Sequence, residues 1–163
     1  MTSRLRDQQG FALIEMLIAI VVINIGLLTI LLALNSGMVT LRRSAETSTA
    51  AAVADRQLER YRALAFTAIY LDTTSLAATD STYQVDSAYS VSQVSQTCSP
   101  LTVACTPSQT ITGPDGRPYR VDTYVVSTTP AGGTPVKQIT VLVRKPATLA
   151  VLARVVSTAG ADF

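Results

Sequence analysis

The 163-residue chain contains no histidine, no proline before Pro100, only two lysines and only two cysteines. Without histidine, a Ser-His-Asp or Cys-His nucleophile cannot be assembled. Neither Lys137 nor Lys145 follows a serine by three residues, so a Ser-x-x-Lys nucleophile is absent as well. There is no glycine-rich phosphate loop and no Asp-x-Asp calcium loop, and Asp115-Gly116 reads as a turn. The residues therefore point to no enzyme, no metal and no cofactor. Charge is also scarce. Charged residues make up 15% of the chain, against about 25% in typical soluble domains. A net charge of +2 is too small to imply a nucleic-acid partner.

Against these absences stands one long apolar run, entered through Gly10-Phe11-Ala12-Leu13-Ile14-Glu15 and continuing to Leu34. Between Met16 and Leu34 the only strongly polar residue is Asn24. Nineteen residues nearly cross a bilayer core of about 30 Å at about 1.5 Å per residue. The run is longer than a secretory h-region, and Leu32-Ala33-Leu34-Asn35-Ser36-Gly37 offers no small-x-small cleavage site, so it is expected to remain as an anchor. Arg4, Arg6 and Asp7 precede it and Arg42 and Arg43 follow, a nearly balanced count. A short polar leader before an uninterrupted span favours a cytoplasmic N-terminus. Glu15 is the anomaly. A carboxylate inside a span costs roughly 2.5–3.5 kcal/mol on insertion scales, so it calls for a partner or a function. Alternatively it stands at headgroup level with no special role.

The helical period continues beyond the span. Leu41, Ala45 and Ala52, then Ala51, Ala54, Leu58, Tyr61 and Ala65, form an apolar stripe, with Arg42, Arg43, Glu46, Asp55, Arg56, Glu59, Arg60 and Arg62 largely on other faces. The pattern predicts one helix from Phe11 to about Phe66, about 84 Å long at 1.5 Å per residue, with Gly37 as its weak point. Residues 67–82 read as a connecting loop. A period of two then predicts strands over Tyr83–Val91, Tyr119–Thr128, Val136–Arg144 and Leu149–Val156, with turns at 113–118, 130–135 and 145–148. The expected fold is α+β: a long N-terminal helix, its first part transmembrane, packed on a small three- to four-stranded antiparallel sheet. Arg117, Tyr119, Arg120 and Tyr124 form a basic and aromatic group of the kind that holds single-stranded nucleic acid. An ordinary sheet surface explains them better.

Cys98 and Cys105 lie seven positions apart, and no histidine exists to complete a four-ligand zinc site. A disulfide in an oxidising compartment is expected, contributing roughly 2–3 kcal/mol through chain entropy. Two free buried thiols are the alternative.

The polar leader, Gly10-Phe11-x-Leu13-x-Glu15 and the apolar span together resemble the prepilin signature of type IV pilins and type II secretion pseudopilins. The resemblance covers about the first 35 residues. It implies cleavage between Gly10 and Phe11 by a membrane-bound prepilin peptidase that also methylates the new amine of Phe11. It makes Glu15 an assembly residue, paired with the N-terminal amine of a neighbouring subunit. Four regions follow: a leader 1–10, a transmembrane and filament-core segment 11–35, an amphipathic helical half 36–66, and a β-rich extracytoplasmic head 67–163. Implied partners are other pilin subunits, the peptidase, an inner-membrane assembly platform and, before assembly, membrane lipid. The implied location is a single-pass membrane protein with its head outside the cell membrane, later an extracellular or periplasmic filament. A proline partway along the span is usual in major type IV pilins and is absent near Leu32, and the cysteines lie mid-chain. With Asn24-Ile25-Gly26-Leu27-Leu28, these features are more similar to a minor pilin or pseudopilin. A monomeric signal-anchored protein whose β domain binds a ligand is the competing expectation, and it requires no leader cleavage.

Overall fold

The computed structural model describes residues 4–74, 79–98, 102 and 104–161, with side chains from residue 13 onward. The chain divides into two compact units, Met1–Ser44 and Ala45–Phe163, and helix α1 (Arg4–Arg62) runs through both. In the first unit α1 is the whole of the described structure. No proline interrupts it, and the helix passes through Gly37 without a break. Three of its polar side chains bond back to the helix itself. Asn24 Nδ2 donates to the Ile20 carbonyl at 2.8 Å, Thr29 Oγ1 to Gly26 at 2.7 Å, and Thr40 Oγ1 to Ser36 at 3.0 Å. Such back-bonding is how an apolar helix carries hydroxyl and amide groups without water.

The second unit has a core of its own. Along α1 the buried apolar positions are Ala50, Val53, Ala54, Leu58 and Tyr61, a helical stripe offset from the expected one: Ala52 and Ala65 are exposed and Ala51 is half-buried. The helix stops at Arg62, short of Phe66. Ala65 is extended (φ −61°, ψ 148°) and a 3₁₀ turn follows at Phe66–Ala68.

Four strands form an antiparallel meander in the order β1 (Ser108–Thr112), β2 (Pro118–Thr128), β3 (Val136–Arg144) and β4 (Val151–Gly160). The α+β expectation holds, and β2 and β3 fall almost where the period placed them. β4 starts two residues later than expected and continues to Gly160. Gly116 (φ +74°) lies in the β1–β2 turn, where a left-handed residue is needed. Tyr119, Val121 and Val125 of β2 and Ile139, Val141 and Val143 of β3 alternate onto the face that meets the α1 stripe, together with Ile69 and Leu71. Cys98 and Cys105 are joined in a disulfide, with Cα atoms 6.6 Å apart. Asp72 spans the pair: its N–H donates to the Cys105 carbonyl at 2.8 Å and its carboxylate accepts from the Cys98 N–H at 3.1 Å.

Two findings correct the expected strand list. Tyr83–Val91 is no strand. Asp80 accepts hydrogen bonds from the Thr82 and Tyr83 amides and caps a short helix, α2 (Ser81–Val85). The apparent alternation fails because Val85 and Val91 are 85% and 92% exposed. The true first strand, β1, pairs Ser108 with Asp122 through Thr112 with Pro118. The second face of the sheet is also covered, in part. Tyr83, Tyr124 and Leu142 form a separate buried cluster there. The Tyr83 and Tyr124 rings stack at 4.4 Å, and the Tyr124 hydroxyl donates to the Tyr83 carbonyl at 2.9 Å. The segment after the connecting loop is thus a strap across the sheet.

Candidate assembly site

Gly10 and Phe11 both lie within the backbone of α1, but their surroundings fall outside the described residues. Glu15 follows Phe11 by four positions, so the two share one helix face about one turn apart. From Leu13 to Leu34 the large apolar side chains are exposed in every direction around α1. This stretch is long and apolar enough to cross a membrane. A helix that is apolar on all sides needs lipid or other helices around it. Asn24 and Thr29 satisfy their polar groups within the helix. Glu15 does not: no described residue hydrogen-bonds to it or pairs with it.

Six charged side chains of the second unit form one continuous chain of ion pairs. Asp122, fully buried, receives Arg120 Nε at 2.9 Å and Arg144 Nε at 3.0 Å, and Ser108 Oγ donates to it at 2.6 Å. Arg120 continues to Asp80 at 2.9 Å. Arg144 continues to Asp86, which also holds Arg154 at 2.7 Å. Asp80 and Asp86 flank α2, so the alternating charges fasten the strap to β2, β3 and β4. On the opposite side Glu46 of α1 pairs with Arg117 and with Lys145, the latter at 3.2 Å, tying the helix to the two turns at that end of the sheet. Lys137 is buried beside the 3₁₀ turn. Its ammonium donates to the carbonyls of Phe66 at 2.7 Å and Ile69 at 2.8 Å, and desolvation pulls its pKa below the usual lysine range.

The Arg117, Tyr119, Arg120 and Tyr124 group does not form one surface. Tyr119 and Tyr124 are buried on opposite faces, Arg120 belongs to the ion-pair chain, and Arg117 pairs with Glu46. The ion-pair chain itself escapes sequence reasoning, because Asp86 and Arg144 are far apart along the chain. Its one sequence signal is Arg120-x-Asp122, a spacing of two that puts both charges on one strand face.

Asp80 gives this network a pH dependence. The Arg120 guanidinium hydrogen bond, helped by the Thr82 and Tyr83 amides, holds the Asp80 carboxyl below its ordinary range despite some desolvation. A carboxyl with a depressed folded pKa stabilises fully above its unfolded value, about 3.9, and loses that contribution as pH falls through the folded value. Near-ultraviolet circular dichroism of the stacked tyrosines during acid titration should therefore show the strap loosening below about pH 4. Asp80→Asn, which keeps a capping oxygen, should weaken the strap at neutral pH and show a smaller acid-dependent change.

Residues 5–31 match the family model described as the prokaryotic N-terminal methylation motif. No curated protein and no solved structure matches the chain. The matched segment contains Gly10, Phe11 and Glu15 and most of the apolar stretch of α1, which fits a membrane-anchored protein. The N-terminus of this chain therefore carries the prepilin-type methylation signature of the type IV pilin-like superfamily.

Proposed function

We propose that the chain is a structural subunit, a minor pilin, of a type IV pilus or related filament. A prepilin peptidase removes residues 1–10 and methylates Phe11. The subunit then waits in the cell membrane with its head outside until an assembly platform transfers it to the filament. The observation that carries this reading is Glu15: a carboxylate without a described partner, in a helix apolar on every side, at the fifth position after the motif's glycine. Pairing with the N-terminal amine of a neighbouring subunit supplies the missing cation and sets the axial register between helices. Such a buried pair acts more through specificity than through stability, since its desolvation cancels much of its attraction. The unbroken, proline-free span and the mid-chain Cys98–Cys105 disulfide favour a minor subunit over a major one.

Shearing filaments from cells and analysing the released fraction by mass spectrometry tests the role. The chain should appear with other pilin subunits, at a small fraction of the principal one. Recovery only from the membrane, as an isolated monomer, would instead support a signal-anchored binding protein.

A further inference from the structure

We propose that the outer edge of β4, with the apolar groove at its C-terminal end, is an acceptor site for an unpaired edge strand of another filament subunit. The proposal rests on the filament reading above.

β4 is an edge strand, and among the described residues the backbone hydrogen bonds of Val151–Gly160 run only to β3. Proteins guard such edges with proline, lysine, bulges or covering loops. Here there is neither proline nor lysine, and the one ladder irregularity lies opposite Val143 and Arg144, at the start of the strand. The single charge, Arg154, is turned back onto Asp86 and Ser87, at 2.7 and 3.1 Å. From Val155 to Gly160 the strand carries no charge, and among the described residues none pairs with its outer edge.

The groove is a second, independent feature. A cavity of about 470 Å³ is lined by Leu64, Phe66, Ile69, Val136 and Ala159, with Arg62 beside them. Its wall is fixed from below, because Lys137 holds the Phe66 and Ile69 carbonyls. Ile69 belongs to the core on the α1 face of the sheet. A strand added to β4 places alternate side chains over that same face, where a large apolar residue enters the groove. Backbone bonds for affinity and a side-chain pocket for selectivity are the two elements of recognition by strand addition.

The meander also suits a like-folded occupant. With four antiparallel strands, β1 and β4 run in opposite directions. A neighbouring head in the same orientation presents a β1-type edge antiparallel to this β4, and the sheet continues by its own rule. Contacts of this head-to-tail kind propagate into open filaments.

The test places a photo-reactive residue at Thr158, exposed on the outer end of β4 at the rim of the groove, in the full-length chain in its native cells. The adducts and the N-terminal peptide are then identified from the same sample. The expected result is an adduct to an extended segment of another filament subunit. It should be lost in Val156→Lys, which sets a guarding charge on the half-exposed edge. A processed, filament-associated chain that yields no subunit adduct overturns the acceptor site and leaves the filament reading standing. An adduct undiminished by Val156→Lys overturns it too. A chain retaining its leader overturns the filament reading, and this choice of partner with it.

Discussion

Glu15→Ala should leave leader cleavage and membrane insertion intact and abolish entry into filaments. Two effects act in the same direction. Removing a carboxylate from the apolar segment relieves roughly 2.5–3.5 kcal/mol of insertion cost, which favours the membrane form. In the filament the neighbour's amine is then left buried without its partner, at about 3–5 kcal/mol. At about 1.4 kcal/mol per factor of ten, the second effect alone lowers incorporation by two orders of magnitude or more. Quantifying the variant in membrane and sheared-filament fractions reads both effects. Glu15→Gln separates charge from volume, since it keeps the side chain's size and should fail as well. Normal incorporation of either variant means that the carboxylate merely sits at headgroup level.

The second large effect lies in the head. Asp122 is fully buried between Arg120 and Arg144 and also accepts from Ser108. Asp122→Ala leaves two arginines short of a partner in a dry site and should cost about 3–5 kcal/mol. That is a large share of the roughly 5–15 kcal/mol that holds a typical domain folded. Chemical denaturation of the full-length protein in detergent, followed by tyrosine circular dichroism, measures it as a lower midpoint. Arg144→Ala added to Asp122→Ala should cost less than the sum of the two single changes, because the groups share one network. Full additivity would mean that the ion pairs act separately.

Much of the fold is legible in the chain because its strongest patterns are local. The apolar run, the α1 stripe and the alternation of Val136–Arg144 each report their own element. The errors share one cause. Tyr83, Val85, Tyr89 and Val91 alternate as a strand would, yet Asp80 offers the backbone a helix cap and Arg120 and Arg144 hold the segment from across the sheet. β1 carries only one large apolar residue, Ile111, and owes its existence to the β2 edge it completes. In both cases tertiary partners decide what local propensity leaves open. The candidate site divides in the same way. Gly10, Phe11 and Glu15 stand out through their resemblance to the prepilin signature, whereas the ion-pair chain and the β4 groove emerge only when distant segments meet.

Processing of the segment around Glu15 for assembly is tested most directly at the N-terminus of the mature protein. Intact mass and N-terminal peptide analysis of the protein from its own cells should find a chain that begins at N-methylated Phe11. A chain that still carries residues 1–10 would contradict the account.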